Sequence, residues 1–324
     1  MRTRMTLLGL FLQCALCACG AAQQPVRVAC DGSPVGLPAV DSTRLIADLA
    51  ALADDSMEGR GLGTRGGARA RTFVLERLQA IGLDTLATGA LEPFSSATGG
   101  TAGGVNVVAL VRGRSRPGRI ILVTAHYDHL GVQQGEVYNG ADDNASGTAA
   151  MMAIATWFHQ HPPDNTVMFV ALDGEEQGLL GAAAFVRDHL VVADSVIINV
   201  NLDMVSRSAE QQLFAVGPKR HPALLPYLAR AACSVSVALM LGHDQGWPTS
   251  EDWTLQSDQA VFQGIGIPFV YFGVEDHPDY HRPTDDVSRI DPGFFVAATR
   301  AIALLVALVD KSPAAAESAR TVSP

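Results

Sequence analysis

The 324 residues are 48% hydrophobic and 17% charged, enough apolar matter for a sizeable core and a poor composition for a disordered chain. Lys and Arg number 23 against 33 Asp and Glu, a formal charge of −10 with no basic stripe, which argues against a nucleic-acid partner. The length suits one large domain or two small ones.

In chain order, Arg2 and Arg4 precede an apolar run from Met5 to Leu16 and then small residues and cysteines, the pattern of a signal peptide over residues 1–18. The run is short for a bilayer span, which needs about twenty apolar residues, and the sequence suggests no later segment of that length. Leu16-Cys17-Ala18-Cys19 resembles a bacterial lipobox, with Cys17 where a small aliphatic or hydroxyl residue is usual. Lipidation at Cys19, and through it membrane attachment, is expected, with secretion after cleavage a few residues later as the alternative. Either way the mature protein is exported. Of the cysteines, Cys30 and Cys233 remain, as a disulfide or as two free thiols.

Residues 19–40 read as a linker. A helix follows from Ser42, with Leu45, Ile46, Leu49 and Leu52 on one face and Ser42 or Thr43 as cap. After the glycine-rich stretch 59–67, a second helix carries Phe73, Val74, Leu78 and Ile81 and stops at Gly82. Short apolar runs then predict buried strands at Val105–Val111, Arg119–Ala125, Thr166–Leu172, Val196–Leu202, Leu213–Val216 and Ile267–Phe272. Helices are expected at Ala149–His159, Gly178–Asp188, His221–Ser234 and Pro292–Val309. This alternation predicts an α/β fold, a three-layer sandwich around a mixed, mostly parallel central sheet, as one domain over 41–312 with a disordered tail at 313–324.

Four of these runs lead into a candidate metal ligand: His126, Glu175-Glu176, Asp203 and, within ten residues, His281. In open α/β sheets the functional crevice lies beyond the carboxyl ends of the strands, so one edge would receive them all. Asp142, in the loop opening the helix near Thr148, is a fifth candidate. Imidazoles and carboxylates together suit zinc or a similar divalent ion. Five ligands exceed a tetrahedral site with an open position, whereas two metals sharing one carboxylate fit the count.

The strings Ala125-His126-Tyr127-Asp128, Gly140-Ala141-Asp142-Asp143-Asn144-Ala145-Ser146-Gly147, Asp173-Gly174-Glu175-Glu176-Gln177-Gly178-Leu179-Leu180-Gly181, Asn201-Leu202-Asp203-Met204 and Tyr280-His281-Arg282-Pro283-Thr284-Asp285-Asp286 resemble the five metal-site motifs of the dizinc aminopeptidase family. These zinc exopeptidases, of phosphorylase/hydrolase-like fold, include secreted bacterial leucine aminopeptidases and glutamate carboxypeptidases. The resemblance covers roughly residues 42–310 and implies peptide substrates and two Zn²⁺. It further implies that Asp142 bridges the metals, that His126 and Asp203 complete one site, and that Glu176 and His281 complete the other. Glu175 would be the general base. A cis peptide is expected directly after the bridging aspartate, at Asp142-Asp143. Asp128 is expected to accept the second imidazole N–H of His126.

The chain departs from the family at Trp253-Thr254-Leu255-Gln256-Ser257-Asp258-Gln259, where some members have a tyrosine and a Ser-Asp-His string. Tyr280 is the substitute candidate for oxyanion or substrate contact. Asp143, Asn144 and Ser146 read as turn and cap residues, and His129, His159, His161, His189, His221 and His243 as surface or loop histidines. His277 is a candidate cleft residue, Asp285 and Asp286 are expected to tie down the His281 loop, and Trp247 and Trp253 wall the pocket or simply pack. The scaffold also hosts carboxypeptidases, dipeptidases, glutaminyl cyclases and catalytically silent binding proteins, the alternatives to an exported aminopeptidase.

Overall fold

The computed structural model describes residues 24–95, 103–189, 194–244 and 251–320; the signal peptide, Cys19 and Trp247 lie outside them. Nine strands form one sheet: β1 (Val26–Arg27), β2 (Leu91–Phe94), β3 (Gly104–Val111), β4 (Arg116–His126), β7 (Asn165–Leu172), β8 (Val196–Leu202), β9 (Gln212–Val216), β10 (Ala238–Leu241) and β11 (Phe269–Gly273). β5 (Gly131–Gln133) and β6 (Glu136–Tyr138) make a separate hairpin. The sheet order is β1-β10-β9-β11-β8-β4-β7-β3-β2. β11, β8, β4 and β7 run parallel at its centre, as does the β10–β9 pair, while the remaining pairings are antiparallel.

The strand period of two sends alternate side chains to opposite faces. Val107, Ala109, Ile121, Val123 and Phe169 pack on one side against α1 (Ser42–Leu52), α2 (Arg65–Ile81), α3 (Gly147–Gln160), α5 (Leu225–Ala232) and α7 (Pro292–Lys311). Val108, Leu110, Leu122, Met168 and Val170 face α4 (Leu180–Asp188) and α6 (Gln259–Gly264) through Phe185 and Phe262. Both faces of the central strands are therefore covered, which is why those strands read as continuous Val/Ile/Leu. α7 has the length and apolarity of a membrane span, contrary to the expectation that no later segment does, but Phe294, Phe295, Ile302 and Leu305 are buried in the core.

Local chemistry explains the element ends. Asp41 rather than Ser42 or Thr43 caps α1, its carboxylate accepting from the Arg44 N–H at 3.0 Å. Gly82 ends α2 in the left-handed conformation, φ 88°. The stretch expected as linker is partly built into the fold: β1 pairs with β10, and a Cys30–Cys233 disulfide fastens the same segment. The expected disordered tail includes a short helix, α8 (Ala314–Ser318), whose Ala316 is buried. The edge strands β1 and β2, and β10 next to β1, escaped the sequence reading because they are short or half-exposed.

Phe169 is fully buried beside Phe158, ring centroids 6.5 Å apart. Phe169→Ala should lower stability by about 3–5 kcal/mol, whereas Leu91→Ala at the exposed edge should change it by less than about 0.5 kcal/mol; urea unfolding of both variants checks the contrast.

Candidate metal centre

The parallel strands β8, β4 and β7 end at one edge, each leading directly into a metal-capable side chain. β4 ends on His126, β7 leads to Glu175 and Glu176, and β8 to Asp203; the loop after β11 returns His281 to the same place. The segment 141–146, just before α3, adds Asp143 between them.

His126 Nε2 lies 3.3 Å from Asp203 Oδ1 and 3.6 Å from Asp143 Oδ1. His281 Nε2 lies 3.1 Å from Asp143 Oδ2 and 3.3 Å from Glu176 Oε2. One carboxylate thus presents one oxygen to each histidine. His126 Nδ1 is 3.2 Å from the Asp128 carbonyl oxygen, which can only accept, so that nitrogen carries the proton and Nε2 offers a lone pair. His126 Nε2 is buried without a hydrogen-bond partner. An imidazole lone pair orphaned among carboxylate oxygens fits a divalent cation of zinc-like preference.

The structure corrects the expected bridging residue. The Asp142 carboxylate accepts from the Ser206 N–H and hydroxyl, both at 2.7 Å to Oδ1, and its Oδ2 lies 3.3 Å from His277 Nε2. It faces Ser206 and His277, not the His126–His281 pair, because successive residues of this bent segment point to different sides. The cis peptide falls at Asp143-Asn144, one residue later than expected. Asp128 also differs: its backbone carbonyl, not its carboxylate, meets His126 Nδ1. Its Oδ1 is 3.6 Å from that nitrogen, beyond hydrogen-bond distance, and instead accepts from the Glu175 N–H at 3.1 Å.

Several functional neighbours were missed. His129 is buried, with Nδ1 2.6 Å from Glu176 Oε1 and 3.7 Å from Asp143 Oδ2. The His-x-x-His spacing at 126–129 was its only signal. His221 and His243 are buried as well, not surface residues. Arg60, fully buried, lies behind the loops of the site. Asp285 accepts the N–H groups of Asp142 and Asp143 at 3.0–3.1 Å, so it ties the His281 loop to the Asp143 loop; Asp286 caps the turn 287–289. Asn144 donates to the Leu202 carbonyl at 2.9 Å and accepts from the Gly147 N–H at 2.9 Å and the Met204 N–H at 3.2 Å. The Gly147 bond is the cap expected of it, and the other two hold the loop against the end of β8. Gln259 does not reach the cleft; it accepts from Asn201 and donates to the Trp253 carbonyl.

Electrostatics separate the adjacent glutamates. Burial pushes the Glu175 carboxyl up to about 10; His126 opposes this, and Asp203, Asp258 and Glu176 add to it. Burial acts the same way on Glu176, but hydrogen bonds to His129 and His281 hold it well below the carboxylate range. Burial alone would lower His281, yet Asp143 and Glu176 raise it to about 10. Burial pulls the Arg60 guanidinium down to about 10 against Asp143, Asp128 and Asp285, leaving it charged at neutral pH.

The cleft over these groups measures about 480 Å³ and is walled by Leu179, Met204, Trp253, Leu255, Tyr271 and Val274. Tyr280 stacks on His281 with ring centroids 4.0 Å apart, and its ring also lines the cleft. Burial keeps both the Tyr271 and Tyr280 phenols protonated, so each is a neutral O–H donor. A larger cavity, about 600 Å³ between α1, α2 and α3, is lined by none of the metal-centre residues.

A model of peptidase family M28 matches residues 106–306, more than half of the chain. The chain belongs to that family, a family of peptidases. Among curated proteins it is 34% identical to Aminopeptidase YwaD of Bacillus subtilis over 181 residues, 53% of this chain and 37% of that protein. It is 37% identical over 106 residues, 32% of this chain and 24% of the relative, to a probable zinc metalloprotease of Pyrenophora tritici-repentis. The chain thus matches well under two thirds of either relative's length. Among solved structures, BSAP, a zinc aminopeptidase from Bacillus subtilis, superposes with a TM-score of 0.67 at 17% identity, covering 83% of this chain and 95% of that one. A glutaminyl cyclase of Porphyromonas gingivalis gives 0.65 at 17% identity over 84% and 99%. These structural likenesses concern the fold.

Asp143→Ala should lower the metal content of the purified protein at least tenfold by elemental analysis, while Asp142→Asn retains it. The reverse ranking would show that the bridging position has been assigned to the wrong aspartate.

Proposed function

We propose that this chain is a dizinc aminopeptidase, with His126 and Asp203 holding one metal, His281 and Glu176 the other, and Asp143 shared between them. The carrying observation is the placement of the two Asp143 oxygens, one facing each histidine. Zinc, when bound, supplies Lewis acidity to the scissile carbonyl and acidifies water. The chain's own part is proton traffic and orientation. Glu175, in the cleft beside His126 and Asp203, takes a proton from water on its carboxylate and delivers it to the leaving amine nitrogen. Asp128 orients it by accepting its backbone N–H, and the Tyr271 and Tyr280 phenols are the neutral donors available to a developing oxyanion.

Charge favours a free amino terminus in the cleft. Among the described lining residues there is no Lys or Arg to meet a substrate's terminal carboxylate, and Asp276 adds a further acidic group near the rim. Export through the N-terminal signal, with lipidation at Cys19, completes the reading; the Cys30–Cys233 disulfide supports it, because such bonds persist in oxidising compartments.

Zinc-loaded protein should hydrolyse aminoacyl anilides and peptides with free N-termini, ignore N-acetylated ones, and lose activity to a chelator with recovery on zinc addition. Failure to cleave any free-N-terminal substrate would sink the aminopeptidase reading, and cyclisation of N-terminal glutamine would replace it with cyclase chemistry. Glu175→Gln should lower kcat by about 10²–10⁴-fold with metal retained; unchanged turnover would mean another residue is the base. Fatty-acid labelling lost in Cys19→Ser checks the anchor.

A further inference from the structure

We infer that Arg60 is the positioning residue of the metal centre, holding the His126 and Asp143 loops in register before any cation arrives; this rests on the metal-centre reading above. Its side chain is fully buried and has no carboxylate in hydrogen-bond contact, an unusual state for an arginine. All five N–H donors go to backbone carbonyls instead: Nε to Tyr127 at 2.8 Å, Nη1 to Leu52 at 2.8 Å and Asn139 at 2.5 Å, and Nη2 to Gly140 at 2.9 Å and Asp143 at 3.4 Å. The Arg60 carbonyl in turn accepts from the His129 N–H at 3.4 Å. One residue therefore grips the carbonyl of Tyr127, next to His126, the backbone of His129, which meets Glu176, and the carbonyl of Asp143 itself.

The local backbone is shaped to deliver this side chain. Glu58, Gly59 and Arg60 have φ of 49°, 64° and 53°, three successive left-handed residues, two of which bear side chains that disfavour that region. A Cβ on Gly59 would lie 2.5 Å from the Gly131 carbonyl oxygen and 2.6 Å from that of Tyr138, so the turn can press against the hairpin only through glycine. A surface arginine would need none of this.

Two roles for Arg60 predict opposite signs. A positive charge behind Asp143, Asp128 and Glu176 repels an incoming cation, so if charge were its whole role, removing it would tighten metal binding. If the five-donor fork holds the loops, losing it weakens binding, and lysine, a single point charge, does not replace the planar fork.

The test is zinc affinity by chelator competition in wild type, Arg60→Met and Arg60→Lys, at a temperature where their far-UV circular dichroism superimposes. Both variants should bind zinc at least tenfold more weakly; a smaller weakening, or tighter binding, in either overturns the assignment. A wild type that binds no zinc would instead overturn the metal-centre reading. Hydrogen exchange on the wild type needs no variant: protection of the 140–144 amides should change less than tenfold on adding zinc. Ordering of that segment only with zinc would overturn the proposal.

Discussion

The dominant constraint on this molecule is the gathering of Asp143, Glu175, Glu176 and Asp203 at one buried sheet edge, with Asp258 behind them. Burial raises the Asp143 and Asp258 carboxyls, the latter to about 8, and like charges add to the effect. Such a cluster is unfavourable unless cations or histidines answer it. Three histidines, His126, His129 and His281, set against carboxylates from three chain segments provide part of the answer, and a divalent cation is the natural remainder.

That constraint explains where the fold spends its hydrogen bonds. Loops near charged clusters drift apart unless their backbones are tied, and here the ties are side chain to backbone. Asp285 takes the N–H groups around Asp143, Arg60 takes the carbonyls, and Asn144 joins the same segment to the end of β8. Each partner comes from a different part of the chain, so the geometry of the centre is a property of the whole domain and not of one motif. The Glu175 N–H bond to Asp128 extends the same logic from the end of β4 to the loop after β7.

Much of this was legible because it follows from periodicity. Uninterrupted apolar runs announced covered strands, and acids and histidines at their carboxyl ends announced a shared edge. Where the reading failed, orientation was at stake rather than composition. Asp142 and Asp143 are adjacent and chemically identical, and only the path of the backbone decides which carboxylate faces the histidines. Arg60 acts on carbonyls alone, which leave no trace in a sequence, and His129 follows a strand end where the chain can turn either way. The Val26–Arg27 strand is too short for alternation to reveal; its place depends on the disulfide and on the free edge of β10.

The two sets of ties also differ in what they depend on. The disulfide secures a peripheral strand at the edge of the sheet, so its loss should fray that edge first and leave the central parallel strands paired. The ties at the centre depend on no covalent bond and no redox state, only on buried donors meeting buried acceptors. The chain is therefore held against local opening at its periphery by the disulfide, while its site keeps its register through buried hydrogen bonds that water cannot easily reach. The division places the disulfide at the edge strand, β1, and leaves the end of β4 and the loops after β7 and β8, which carry candidate metal ligands, to packing and hydrogen bonding.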